Sequence, residues 1–261
     1  MALTSEGREL TEIHRIGQVA LAAEHRVVVQ DFIGLIDLND IDGSVARWFA
    51  AMEVTTANGH RLSQEMAVNY LQAFTLAEIG ETHGIVRPMF PERQLVENLR
   101  VAGPVRIKTL IGQGVDPERA LQVAMSESVR RSMTAVLAGG RDLIDGSVRY
   151  YGASGRYRRV TDSQPCAFCA MLASRGPVYS ETTAYFRSHN VCGCNAEPVH
   201  GEWEPTDEEA LWRASYTQAA LDADEEGLSR TAPTPHSDAE DTILWRMRRN
   251  APHLFSDGVN P

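Results

Sequence analysis

The sequence predicts a mainly α protein: a helical N-terminal domain, then a small α+β knuckle stapled by Cys and His, then an extended acidic tail. Three observations carry that prediction. Apolar residues recur at helical spacing through the first 140 positions, all four cysteines fall between Cys166 and Cys194, and acidic residues dominate after Pro198. The expected boundaries are 1–140 for the helical domain, 150–200 for the knuckle, and 201–261 for the acidic C-terminal tail with its short helices.

Thr4 and Ser5 are caps for a first helix, with apolar positions at Leu10, Ile13, Val19–Leu21, Val27–Val29, Phe32, Ile33 and Ile36. That spacing fits a 3.6-residue period better than alternation and places the end of the helix near Asp37–Asp40. A second long helix runs from about Ser44 to Ile79, with Val45, Trp48, Phe49, Met52, Leu62, Met66, Tyr70, Leu71 and Phe74 as its buried stripe. Gly59 is a candidate bend, and Gly80 and Gly84 end the helix. A third helix starts near Pro91 and is interrupted at Gly103-Pro104.

The best-defined helix opens at Asp116 as cap, Pro117 in the first turn and Glu118 at the positive end. Leu121, Ala124, Met125, Val129, Met133, Val136 and Leu137 form its apolar face, and Gly139-Gly140 reads as its stop. In the tail, Thr206-Asp207-Glu208-Glu209 is a capping box for a helix through about Leu221. Ser229–Ser237 has the composition of a linker. Thr242–Arg249 is a short amphipathic piece, apolar on one side and basic on the other, suited to docking in a neighbour's groove or folding back on its own domain.

Composition narrows the function. The chain has 261 residues and a net charge of −10, which argues against a general nucleic-acid coat, because duplex affinity comes from Lys and Arg on phosphates. The opening residues have neither a basic n-region nor an apolar h-region, so no signal peptide is expected. The apolar runs are far too short to span a membrane. The expectation is a soluble chain in a reducing cytoplasm, where clustered cysteines are thiolates or metal ligands before they are disulfides.

The cysteines form Cys166-x-x-Cys169, then His189-x-x-Cys192-x-Cys194. A tetrahedral Zn²⁺ accepts four Cys, or three Cys and one His, and C-x-x-C delivers two thiolates from one turn. The candidate metal ligands are therefore Cys166, Cys169, His189, Cys192 and Cys194, with three groups competing for two places and one structural Zn as the implied cofactor. Cys192 and Cys194 face one metal only if the backbone kinks, which Gly193 permits. Two disulfides are the competing reading. A redox role would require a βαβ context that is lacking here.

Around the knuckle, Arg149, Arg156, Arg158 and Arg159 with Tyr150, Tyr151 and Tyr157 are the one place where phosphate contact is expected, through Arg156, Arg158 and Arg159. The alternative is a basic loop paired with the acidic tail, where thirteen Asp or Glu stand between Glu197 and Asp241 against Arg213 and Arg230. No catalytic residue can be named. Gly-x-Ser-x-Gly and His-Glu-x-x-His are both missing, and His14, His25, His60 and His83 read as surface or satisfied core histidines. Asp42-Gly43-Ser44 and Asp145-Gly146-Ser147 read as turn-and-cap sequences.

Taken together, Arg159-Val160-Thr161-Asp162, Pro165-Cys166 through Cys169, Arg175-Gly176-Pro177-Val178-Tyr179, His189-x-x-Cys192-x-Cys194 and Glu197-Pro198 resemble the signature of phage Mu F-like minor head proteins. The specific likeness covers Arg159 to Pro198. Leu10 to Arg15 and Val101 to Lys108 resemble the family's N-terminal region more loosely. One position departs: Arg187 and Ser188 precede His189 where the family usually has Pro or Tyr. The resemblance implies a minor capsid, or head morphogenesis, protein of a tailed bacteriophage, assembled in the bacterial host cytoplasm and located in the phage head interior. Its implied partners are the portal protein, the major capsid or scaffold protein, and packaged DNA, with no membrane. The resemblance leaves two alternatives, a capsid maturation protease and a DNA-binding internal virion protein.

Overall fold

The computed structural model describes residues 2–151, 156–178, 192–227 and 243–258. Helix α1 (Ser5–Gln30) starts where the Thr4 hydroxyl accepts a hydrogen bond from the Gly7 amide at 2.8 Å. It passes into a 3-10 turn at Asp31–Leu35 rather than continuing as α-helix toward Asp40. Helix α2 (Ile41–Ile79) is capped by the Asp40 carboxylate and closed by Gly80 at φ 72°. That left-handed conformation suits a residue without Cβ.

Helices α3 (Glu92–Arg100) and α4 (Arg106–Gly112) are joined by one π turn, Val101–Val105, that absorbs Pro104 without ending the rod. Gly103 in that turn lies against Trp48, where an added Cβ would stand 2.7 Å from the indole ring. The close approach lets Trp48 sit fully buried among Leu99, Ile107 and Ala124.

Helix α5 (Pro117–Tyr151) begins as expected, with Asp116 accepting from the Arg119 amide. The expected stop at Gly139-Gly140 is wrong: the helix runs on to Tyr151. Both glycines sit at the crossing with α2, where a Cβ on Gly139 would lie 2.4 Å from the His60 carbonyl oxygen. The Gly140 amide also donates to Ser63 Oγ at 2.9 Å. The pair is spent on helix contact, not on termination. Asp145-Gly146-Ser147 is likewise helical, and Ser147 Oγ accepts from the Val86 amide to anchor the loop after α2. Gly59 serves close packing too, against Val136 and His25.

The side of α1 that faces α2 and α5 is mostly polar. Thr11 and Tyr70 share a hydrogen bond at 3.0 Å, and His14 stacks on Tyr70 at 4.5 Å. Gln18 donates to the Ser63 carbonyl while Ser63 Oγ donates to Gln18 Oε1. His25, Ser132 and Thr56 form a buried chain with contacts of 2.6 and 2.7 Å. Buried polar groups persist when they are paired, as most of these are. Ile13, Ile16, Val27 and Val28 instead face outward. Leu62, expected in the buried stripe of α2, is exposed as well.

Strand β1 (Tyr157–Val160) pairs antiparallel with β2 (Asn195–Pro198), with Arg158 opposite Glu197 and Arg159 opposite Ala196. This ribbon lies on the end of α5, where Tyr157 and Ala196 join the core of Leu71, Phe74 and Ile144. Helix α6 (Ala167–Ala173) forms a third core with α7 (Asp207–Glu225) and α8 (Ile243–Asn250) through Met171, Trp212, Ala219, Met247 and Phe255. The Thr206 capping box is present, and α7 extends beyond Leu221. The described part of the tail is therefore helical and folded back on the knuckle. Within α8, Arg246 holds Glu226 through two contacts, the shorter 2.7 Å. The linker reading of Ser229–Ser237 lies outside the described residues.

Candidate metal centre

Two short segments build the site. Cys166 caps α6 in an extended conformation, its sulfur accepting from the Cys169 amide at 3.4 Å. One helical turn places Cys169 inside, buried against the β ribbon. Cys192-Gly193-Cys194 enters β2 from the other side. Gly193 is pressed toward α1, where a Cβ would stand 3.1 Å from Val19 Cγ2. The expected kink is not needed: positions i and i+2 of a segment running into a strand share one side, so both flanking sulfurs point the same way.

The Cys169 sulfur lies 2.8 Å from that of Cys192 and 3.7 Å from that of Cys194, and the last two are 2.9 Å apart. No disulfide joins the four cysteines. All four also line one cleft of about 170 Å³, together with Asp162, Gln164 and Ser256. His189 lies outside the described residues, so the geometry establishes the trio Cys169, Cys192 and Cys194 and leaves Cys166 and His189 as the two sources of a fourth ligand.

The electrostatics of the trio are uneven. Hydrogen bonding to Cys166, then to Cys192 and Cys194, pushes the Cys169 thiol far up. At Cys192 the bond from Cys169 lowers the thiol, but the bond to Cys194 and burial outweigh it, pushing it up to about 12. Cys194 goes the other way. Burial opposes its ionisation, yet the thiols of Cys169 and Cys192 and the charges of Arg159 and Arg141 hold it well below the ordinary range. Arg159 Nη1 stands 2.7 Å from Cys194 Sγ. Arg141 on α5 donates to the backbone carbonyls of Cys192 and Cys194, the latter at 2.9 Å.

Of the three, Cys194 is the sulfur whose ionised form the surroundings favour. Three buried sulfurs within 4.8 Å can hold a metal ion. Tetrahedral thiolate ligands about 2.3 Å from a metal are roughly 3.8 Å apart. The 3.7 Å separation of Cys169 and Cys194 already matches, and Cys192 needs to swing out by about 1 Å. The residues present fit such an ion.

In the basic cluster Arg158 pairs with acidic residues, as the alternative reading had it. Arg158 and Arg159 are buried, which withdraws both from phosphate contact, while Arg156 stays exposed. Arg158 donates to Glu197 at 2.6 Å and to Glu209 at 2.7 Å, joining β1, β2 and α7. Glu209 also accepts from the Thr206 amide through its second oxygen, so one carboxylate completes the cap and the ion pair. Arg141 was invisible in the sequence, because nothing in a helix 51 residues before Cys192 marks it as a carbonyl donor. Of the two places expected for His14, His25, His60 and His83, surface or core, all four take the core. Ser132, hydrogen-bonded to His25, is fully buried in the bundle and closed to a substrate.

Among the described residues no helix is long and apolar enough to cross a membrane. Neither a curated protein nor a solved structure matches the chain. The family model described as VG15 protein matches residues 7–219, spanning the helical bundle, the β ribbon, the described cysteines and most of α7. A match over that span, cysteine cluster included, places the chain in the VG15 protein family, a family of phage virion genes.

Proposed function

We propose that the protein is a minor capsid protein that acts in head morphogenesis, in contact with the portal and with the major capsid or scaffold protein. The observation that carries this reading is the family match over residues 7–219, which includes both the bundle and the cysteines. The local likeness of Arg159 to Pro198 to Mu F-like head proteins supports the finer assignment. The chemistry of the buried residues favours a structural part over an enzyme, since the cysteines are buried and the Ser132–His25 pair is enclosed.

In this reading the knuckle is a rigid clip holding α6, β1 and β2 on the end of α5. Cys169, Cys192 and Cys194, with Cys166 or His189, would hold a structural Zn²⁺, because thiolate-rich donor sets select it. A bound ion would supply the positive charge that the trio lacks. Arg159 and Arg141 orient the sulfurs and carbonyls around it.

The test is genetic and biochemical. An amber mutation in the gene should give heads that fail to package or eject DNA, and mass spectrometry of purified virions should find the chain in a few copies per head. Fully infectious particles lacking the chain would defeat the proposal.

A further inference from the structure

Helix α1 has its polarity reversed. The side packed on α2 and α5 carries Thr11, His14, Gln18 and His25, whereas the opposite side carries Ile13, Ile16, Ala20, Ala23 and Val27. All five of the latter are exposed, with Ile13 at 60%, Ile16 at 54% and Val27 at 63%. A surface helix ordinarily buries its apolar side. Here the apolar side is presented to solvent along the middle of the helix. The five positions are spaced 3, 4, 3 and 4 residues apart, the alternation of a coiled-coil seam. At 1.5 Å per residue the seam is roughly 21 Å long.

We propose that this face is the seam of a homodimer, in which α1 packs antiparallel on α1 of a second copy of the chain. Three features favour a second copy over an unrelated partner. First, the stripe is large at both ends and small in the middle. An antiparallel pair crossing at Ala20 sets Ile13 against Val27 of the partner subunit and places alanines where the axes come closest. A two-fold contact needs that self-complementarity.

Second, the seam's flanks carry opposite charges at opposite ends. Glu12 stands beside Ile13, and Arg26 stands beside Val27. Both lie on the same flank, and an antiparallel pair sets that flank against itself, which brings Glu12 across from Arg26 of the partner subunit. Third, the face is unobstructed on its own chain. Among the described residues the knuckle touches the flank of α1, with Arg15 near Asp162 and Val19 near Gly193, and leaves the seam itself clear.

A seam of two heptads is smaller than a standard stable interface, so the affinity belongs in the micromolar range. Each copy carries a net charge of −10, so added salt should strengthen the dimer by screening the repulsion between copies.

Sedimentation equilibrium of the full chain across a micromolar series tests the proposal. A monomer–dimer equilibrium is expected, and Ile16→Glu should abolish it while leaving the melting temperature of the dilute monomer close to wild type, because Ile16 is more than half exposed there. Orientation is read by oxidative cross-linking on non-reducing gels, against a wild-type background. Ala20→Cys should cross-link to itself across the two-fold axis, and Ile13→Cys should not, since its mate lies at the far end. A wild-type chain that stays monomeric throughout, a dimer indifferent to Ile16→Glu, or preferential cross-linking through Ile13→Cys would each overturn it. The cross-link does not depend on how the glutamate variant folds. The outcome is also independent of the head-assembly role.

Discussion

Replacing Gly139 with alanine separates two meanings of a glycine in a helix. If Gly139-Gly140 were a stop, added helix propensity would extend the helix at little cost. In the structure the helix continues, and the new Cβ would sit 2.4 Å from the His60 carbonyl oxygen, 3.1 Å from His60 Cγ and 3.2 Å from the His60 carbonyl carbon. The nearest of these atoms belongs to the α2 backbone and cannot rotate away. The helices must part by about 1 Å, and overpacking of this kind costs about 1–3 kcal/mol.

Parting them also stretches bonds that cross the same interface, including His60 Nδ1–H to the Ala135 carbonyl at 2.8 Å and the Gly140 amide to Ser63 Oγ at 2.9 Å. A net hydrogen bond is worth about 1 kcal/mol. Against this, alanine gains about 1 kcal/mol of helix propensity. The net is a loss of about 2–3 kcal/mol. Gly112→Ala is the control, since nothing lies within 4 Å of that Cβ and propensity alone applies. Urea denaturation at constant slope should move the two midpoints in opposite directions. A Gly139→Ala protein as stable as Gly112→Ala would refute the close-packing argument.

Three further outcomes are expected. Arg158→Ala leaves the Glu197 and Glu209 carboxylates buried without their cation and should cost about 3–5 kcal/mol, with faster hydrogen exchange at the start of α7; unchanged exchange there would count against the ion pair as its anchor. Burial lowers both His14 and His25 to about 4. The unfolded chain then binds more protons from pH 6.5 downward, so stability should be full above that pH and fall toward pH 4 by on the order of 3 kcal/mol per histidine. His14→Gln should flatten part of that fall in acid denaturation curves, and an unchanged slope would contradict the assignment. Native mass spectrometry of reduced, chelator-free protein should show one bound metal ion that Cys192→Ser removes along with several degrees of melting temperature; a metal-free wild type would end the metal reading.

Much of the fold was legible because it rests on local chemistry. Asp116 and Pro117, Thr206 with Glu209, and Gly80 mark their helix ends through groups within one turn of themselves. The cysteine cluster was legible from spacing, and the x between Cys192 and Cys194 sets both sulfurs on one side of the extended chain. What failed depends on distant neighbours. Gly139 looks like a terminator until His60 is placed against it, and which acidic residue Arg158 takes is decided by Glu209, 51 residues away. On α1 the period identified a helix, but period alone does not tell which face turns inward. The inner face is set by hydrogen-bond partners on α2 and α5, such as Ser63 and Ser132.

The closing of the knuckle by the last described residues has a consequence for the order of events during synthesis. The Ala167 amide donates to Asp257 at 2.8 Å and the Ser256 amide donates to the Pro165 carbonyl at 3.0 Å, so the rim of the cysteine cleft waits for residues made 90 positions later. Helices α1 to α5, by contrast, find all their mutual partners by Tyr151. Between Tyr151 and Phe255 lie 104 residues, or about 5–20 s of translation at bacterial speed. For much of that interval a finished bundle hangs from the ribosome with α6 uncovered and its thiol open to solution. Until Ser256 and Asp257 are in place the rim stays open, and an ion or an oxidant can reach the sulfurs.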